Sequence, residues 1–200
     1  MKVSISWALM KMLSNISDFI YKYNNGWIAL GLFVLFLLFS ILVLPAQASK
    51  TQVFSGDIGT PDQSFCYSNE DLYHMAELYG LEGRSSYIKA RFTFDLIWPI
   101  LYTLFLTTSI SWVYARILSV DENLRLVNML PFLGMLFDYF ENIFAALIMY
   151  RYPQPTPIID VLTPVLTMLK WLLIISSFLF MILGFMILIW NWYQKKRIKQ

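Results

Sequence analysis

Residues Trp27 to Leu44 read WIALGLFVLFLLFSILVL, a run without a single charged side chain. A helix needs about 20 residues, most of them apolar, to cross the hydrocarbon core of a bilayer. Helices of soluble domains instead alternate apolar and polar faces. The run is therefore predicted to be the first transmembrane helix of the chain, over residues 27–44.

Three later segments have a similar length and apolarity, namely residues 92–114, 126–150 and 164–193. The composition agrees, because 58% of the residues are hydrophobic and only 14% are charged, whereas a soluble domain has roughly 25% charged residues. The sequence predicts an all-α, multi-pass protein of the cell membrane with four transmembrane helices and the lipid bilayer as its surroundings. The net charge of +2 does not indicate a nucleic-acid partner.

The orientation follows from the distribution of Lys and Arg, which are retained on the cytoplasmic side of membrane proteins. Nine of these residues lie on the side of the two termini and five on the other side. Both termini are therefore predicted to be cytoplasmic. An alternative stays open, because Ala46-Gln47-Ala48 resembles a signal-peptidase site. Cleavage there would leave three spans and an external amino terminus.

The segments before the second span are predicted to contain two amphipathic helices. Residues 1–26 carry apolar side chains at helical spacing, which favours a helix on the cytoplasmic membrane surface. Packing of this helix on the inner ends of the spans is an equal alternative. Residues 45–91 form the large outer loop, whose part from Thr51 to Gln63 is expected to be irregular. A short helix over 69–79 should follow, capped by Ser68 or Asn69 and stopped by Gly80.

The other connections are short. The cytoplasmic loop 115–125 contains Ser119 and Glu122, a capping-box pattern expected to open the third helix. In the outer loop 151–163, both Thr156-Pro157 and Thr163-Pro164 fit the start of the fourth helix. Residues 194–200 form a basic cytoplasmic tail.

Polar side chains within the third and fourth spans are the first candidates for function, because such groups are costly in a membrane. Asp138, Glu141 and Asn142 have the spacing i, i+3 and i+4, which places them on one side of the third helix. Helical rise puts Lys170 of the fourth helix at a matching depth. We expect Lys170 to face Glu141 or Asp138.

A second polar stripe lies on and before the second span. Arg91, Asp95 and Tyr102 follow helical spacing, and we expect Arg91 or a tyrosine hydroxyl to hold Asp95. Arg84 precedes them and directly follows a stretch in which Gly80 and Gly83 permit a sharp turn, so it could meet an anionic headgroup or substrate at the outer mouth. Together these residues predict a polar pocket in the outer half of the bundle. The alternative is that they pair only to hold the helices in register.

The sequence limits the chemistry of this pocket without naming it. The chain has one histidine, His74, and one cysteine, Cys66, so histidine-rich metal sites and internal disulfides are excluded. No pattern identifies a catalytic residue, a metal or a cofactor. The leading hypothesis is a binding, transport or accessory role, with a membrane-protein partner or a second copy of the chain as further candidates. The alternative is a small lipid-modifying membrane enzyme whose carboxylates serve as acid, base or metal ligands.

Overall fold

The computed structural model describes residues 2–198, and 86% of the chain is helical. Within this range there is no β-strand. Four helical segments are long and apolar enough to cross a membrane: Gly26–Ile58, Gly80–Ile117, Asn123–Arg151 and Ile159–Arg197. The prediction of an all-α protein with four such helices is confirmed. Met1, Lys199 and Gln200 of the predicted terminal segments lie outside the described residues, as do the side chains of residues 2–6 and of Leu9.

Over residues 2–198, eight α-helices follow one another, with three short 3-10 segments, Gly56–Ile58, Pro61–Gln63 and Asn123–Met129, between them. The α-helices are α1 (Lys2–Tyr23), α2 (Gly26–Leu42), α3 (Leu44–Ser55), α4 (Asn69–Leu78), α5 (Gly80–Arg91), α6 (Phe94–Ile117), α7 (Leu130–Arg151) and α8 (Ile159–Arg197). The antiparallel pair α7 and α8 forms the centre of the bundle, α6 packs on both, and α2 packs on the outside of α6. We call the end covered by residues 56–91 the loop end, and the opposite end, where α8 finishes, the tail end.

The helix with the most apolar sequence is exposed, whereas a less apolar helix buries polar side chains. No residue of the fully described helix α2 is buried, although α2 is almost wholly apolar. In contrast, α6 buries a series of hydroxyl side chains, among them Thr103, Thr107 and Ser111. A soluble bundle would show the reverse, because water would face the polar groups. The arrangement suits helices whose outer surfaces meet lipid and whose polar groups bond to one another inside.

The predicted outer loop, residues 45–91, contains more helix than the expected short one. The prediction of irregular structure from Thr51 to Gln63 is wrong at its start, because α3 continues to Ser55. Pro45 lies in the first turn of α3, where proline favours helix. The helix ends at Gly56, whose φ of 52° is in the left-handed region. The predictions that Ser68 caps the next helix and that Gly80 takes a positive φ are confirmed.

The starts of the last two long helices differ from the sequence predictions. Ser119 does donate a hydrogen bond to Glu122, with an Oγ–Oε1 distance of 2.6 Å, but this pair closes a turn before the 3-10 segment Asn123–Met129. The α-helix α7 begins only at Leu130, with Pro131 in its first turn. Helix α8 begins at Ile159, between the two predicted starts, and contains Pro164 within it.

Helix α1 packs on the tail end of the bundle. The Ser17 hydroxyl donates to Asn128 Oδ1 at 2.8 Å, and the Tyr21 hydroxyl donates to the Arg125 carbonyl oxygen at 3.0 Å. Burial raises the pKa of Tyr21 to about 12, so the phenol stays protonated as the donor. Met12, Ile16, Phe19 and Tyr23 form an exposed apolar stripe on another side of the helix. Packing on the bundle thus leaves one apolar face of α1 uncovered.

Candidate functional site

The polar side chains from five parts of the chain meet inside the loop end of the bundle. Arg91 ends α5, and Asp95 lies in the first turn of α6. Helix α7 contributes three neighbours on one side, and α8 contributes one base. The fifth contribution comes from the 3-10 turn Pro61–Gln63. We call this set the charge network; its members are Asp62, Arg91, Asp95, Tyr102, Asp138, Glu141, Asn142 and Lys170.

Arg91 organises one half of the charge network. Its Nε atom lies 2.9 Å from Asp95 Oδ2, and its Nη1 atom lies 3.2 Å from Asp62 Oδ1. The same Nη1 donates to Asn142 Oδ1 at 3.2 Å. The guanidinium also stands over the ring of Tyr87, 4.6 Å from its centroid. The positive charge of Arg91 is thus taken up by acceptors on three different elements.

Lys170 organises the other half. Its ammonium nitrogen lies 2.5 Å from Glu141 Oε2 and 3.7 Å from Asp138 Oδ1. Asp138 also accepts from the Tyr102 hydroxyl at 3.0 Å and from Asn142 Nδ2 at 3.2 Å. Asn142 therefore joins the two halves, because its oxygen binds Arg91 while its nitrogen binds Asp138. The result is one continuous network across α5, α6, α7 and α8.

Acidic groups outnumber basic ones in the charge network, since four carboxylates share two cations. Glu141 is only 1% exposed, and its Oε1 atom has no hydrogen-bond partner among the described residues. For Asp62, which lies outside the four long helices, burial alone would raise the pKa. The charges of Arg91 and Lys170 outweigh that effect and hold the pKa of Asp62 below its usual value. Asp62 is therefore ionised at neutral pH.

A cavity of about 460 Å³ lies directly beside the charge network. Five members of the charge network line it: Asp62, Arg91, Asp95, Asp138 and Lys170. Its apolar lining is largely aromatic and comes mainly from α2, α6 and α8: Phe36, Phe94, Trp98, Trp171, Ile174 and Phe178. Phe36 stacks on Trp98 with ring centroids 5.6 Å apart. The cavity thus combines charged and aromatic side chains.

The segment between α3 and α4 covers the cavity at the loop end. The Trp171 indole N–H donates to the Asp62 carbonyl oxygen at 3.2 Å, and the hydroxyls of Tyr67 and Thr167 are 2.7 Å apart. Burial is the main cause that raises the pKa of Tyr67, so its phenol is protonated. These bonds attach the covering segment to α8. Gly59, with a φ of 69°, lets the chain turn sharply just before Asp62.

The structure brings together seven of the eight residues proposed from the sequence. The expected contacts of Lys170 with Glu141 or Asp138, and of Asp95 with Arg91, are both present. Arg84 is the exception. Its Nη1 atom donates to the Ala76 carbonyl oxygen at 2.8 Å, and its guanidinium stacks over Tyr152. Arg84 therefore ties α5 to neighbouring elements and does not join the charge network.

Asp62 is the member of the network that the sequence analysis missed. It lies in an irregular segment, so no helical spacing relates it to Arg91, which follows it by 29 positions. The available signal was indirect. Two bases faced three predicted acids, and a further acid in the covering loop was a natural partner for Arg91.

Two further features of the described side chains concern metal ligands and nucleophiles. In residues 2–198 no three side chains of His, Cys, Asp or Glu are placed to hold a metal ion. A serine–lysine pair is not formed at Ser177, because its hydroxyl donates to the Leu173 carbonyl oxygen at 2.7 Å. Lys170 is itself engaged by two carboxylates.

No protein-family model, curated protein or solved structure matches this chain.

Proposed function

We propose that this chain is a multi-pass protein of the cell membrane that binds an amphiphilic ligand in the cavity between α2, α3, α6 and α8. The observation that carries the proposal is the lining of that cavity, which combines side chains of the charge network with apolar and aromatic ones. The ligand places its polar head against the charge network and its apolar part against Phe36, Ile174 and Phe178. Such binding would serve transport or an accessory role.

The size and lining of the cavity support this proposal. Ligand sites in proteins have volumes of about 300–1,000 Å³ and combine apolar walls with a few polar groups, and this cavity of about 460 Å³ has that composition. A purely structural network would need no space beside it. Here Asp62 and Asp95 border the open volume while they also pair with Arg91.

The arrangement of α2 offers a path for an apolar chain. A second cavity of about 400 Å³ lies between α2, α6 and α8, nearer the tail end. Its lining includes Leu30, Phe33, Phe105, Met181 and Phe185. Phe36, which lines the first cavity, stacks on Phe105, which lines the second, with ring centroids 4.5 Å apart. An acyl chain that starts at the charge network could thus run between α2 and α8 along α6.

The orientation of the chain is part of the proposal. The excess of basic residues at the tail end favours a cytoplasmic location for both termini. The cavity and its covering segment then face the outside, within the outer half of the bundle. An enzymatic role in lipid modification has less support, because Asp138 and Glu141 are both engaged by Lys170.

Thermal unfolding of the purified protein in a neutral detergent tests the proposal. The probes are three amphiphiles with the same twelve-carbon chain: dodecyltrimethylammonium, dodecanoate and dodecylphosphocholine. A ligand that binds only the folded state raises the unfolding temperature. We expect at least one probe to do so for the wild type, while the corresponding head groups without the chain have a much weaker effect.

A pair of matched variants locates the binding. Ala48 is exposed and lines the cavity, whereas Ala46 is exposed on the same helix and does not line it. Ala48→Trp should fill the cavity mouth and remove the shift, and Ala46→Trp should retain it. Equal shifts in both variants would place the amphiphile on the general lipid surface. The proposal fails in that case, and also if no probe shifts the wild type.

A further inference from the structure

We infer that the head of the bound amphiphile is an organic ammonium group, held by the surplus carboxylates of the charge network and the aromatic rings that line the same cavity. This inference rests on the proposed function and specifies the class of ligand. Three observations point to it. Arg91 and Lys170 are already paired, carboxylate oxygens of the network have unused hydrogen-bonding capacity, and aromatic rings line the cavity.

The two resident cations are already engaged by acceptors of the protein. Arg91 contacts Asp62, Asp95 and Asn142, and Lys170 contacts Asp138 and Glu141. An anionic head would have to displace one of these carboxylates, which would then be left buried without a counter-charge. Removing one partner of a buried ion pair is strongly unfavourable. The site is therefore poorly suited to a carboxylate or sulfate ligand.

The unused hydrogen-bonding capacity of the network lies on acceptors. Asp95 lines the cavity and contacts Arg91 through Oδ2, one of its two carboxylate oxygens. Glu141 Oε1 is buried and has no partner within the described part of the chain, although Glu141 does not line the cavity. With all groups ionised, the network carries two more negative than positive charges. A singly charged ammonium would offset half of this surplus, and a buried unpaired charge is costly.

Aromatic rings line the same cavity as the carboxylates, and the faces of such rings attract cations. Phe94, Trp98 and Trp171 are among the lining residues, together with Asp62 and Asp95. The face of an aromatic ring is negative, and several rings around a cavity are the usual means of binding an alkylated ammonium. Lys170 already uses one of them, with its ammonium 5.4 Å from the centroid of the Trp171 ring. Carboxylates and rings in one cavity are complementary to an ammonium head.

The three twelve-carbon probes test the inference, because they differ only in the head. Dodecyltrimethylammonium should bind the wild type about ten times more tightly than dodecanoate, the difference expected from one desolvated cation–π or ion contact. Apparent affinities come from the dependence of the unfolding temperature on probe concentration. Dodecylphosphocholine separates two sources of the head: strong binding indicates a membrane lipid, and binding of the simple ammonium alone indicates a free amphiphilic amine.

Two pairs of variants keep the test independent of folding. Asp95→Asn should lower the affinity for the ammonium probe about tenfold. Asp160→Asn should not, because Asp160 is a buried acid that bonds to Tyr73 outside the cavity. Trp98→Leu should remove the preference for ammonium while it keeps the cavity apolar. Trp190→Leu, at an exposed position near the tail end, should have no effect.

The outcomes separate the inference from the function on which it rests. Tighter binding of dodecanoate than of the ammonium probe, lost in Ala48→Trp, would overturn the ammonium inference and leave amphiphile binding intact. A preference for ammonium that survives both Asp95→Asn and Trp98→Leu would also overturn it. If no probe binds in a manner sensitive to Ala48→Trp, the proposed function fails and the inference fails with it.

Discussion

Asn142 shows how a single side chain can make a buried network continuous. Its amide oxygen accepts from Arg91 and its amide nitrogen donates to Asp138. Neither a carboxylate nor an apolar side chain could do both, because one lacks a donor and the other lacks both groups. The neighbours of Asn142 on α7 could be predicted from helical spacing. Its partner Arg91 could not, since no periodicity relates α5 to α7.

Removal of Lys170 should destabilise the protein more than any other single change in the charge network. Lys170→Met leaves Asp138 and Glu141 buried without their counter-charge, and breaking such a pair costs about 3–5 kcal/mol. The double variant Lys170→Met with Glu141→Gln should lose less free energy of unfolding than the sum of its two single variants. The reason is that the Glu141 carboxylate, one of the two left without a counter-charge, is gone. Reversible unfolding in mixed micelles measures these free energies.

The exposed Lys89 on α5 supplies the control for this cycle. Lys89→Met removes the same chemical group at a surface position and should change the free energy of unfolding by less than about 0.5 kcal/mol. Strictly additive effects of the Lys170 and Glu141 substitutions would show that the two residues are not coupled.

At the scale of the helices, the sequence pattern predicted that four long segments exist but not where the last two begin. Proline is accommodated in the first turn of α7 and within α8, so it marks no boundary by itself. The 3-10 segment before α7 uses the capping pair that was expected to open the α-helix. The packing partners of α2 were not predictable either. An apolar helix surface that is uniform all round has no preferred side.

Close packing of α6 on α8 depends on Gly184. A Cβ atom at this position would lie 2.7 Å from both Tyr114 Cε2 and Val113 Cγ1. Val113 is fully buried, and the Tyr114 hydroxyl bonds to the Phe180 carbonyl oxygen, so neither can move away easily. Gly184→Ala should therefore force the helices apart and destabilise the protein by about 1–3 kcal/mol.

Gly31 of α2 is the matched control for Gly184. A Cβ atom there would meet open space, and alanine favours helix over glycine by about 0.5–1 kcal/mol. Gly31→Ala should leave the unfolding temperature unchanged or raise it slightly. If both substitutions had the same effect in the unfolding assay, the close approach of α6 and α8 at Gly184 would not limit stability.

For the whole molecule, the distribution of apolar surface is the property that the sequence predicted best. Large apolar side chains cover the outside of α2 and α8, including Leu35, Leu38, Ile182 and Ile189. Contact of this apolar surface with water would be unfavourable, whereas lipid tails are as apolar as the side chains and solvate them without that cost. Composition alone was sufficient for that conclusion. The lateral order of the helices depends on which hydroxyls, glycines and charges meet, and these pairings are long-range.

The predicted orientation can be measured at the native Cys66, the only cysteine in the chain, which is exposed within the covering segment at the loop end. Basic residues at the tail end favour the cytoplasm, so Cys66 should react with a membrane-impermeant maleimide in intact cells. The variant Cys66→Ser with Lys196→Cys moves the thiol to the tail end, and it should react only after the membrane is permeabilised. The same reagent and the same number of thiols make the two chains directly comparable.

The inverted labelling pattern would place the cavity on the cytoplasmic side and overturn the proposed orientation. An amino-terminal tag retained on the labelled chain would exclude cleavage after Ala48, because cleavage there would remove the tag together with α1 and α2.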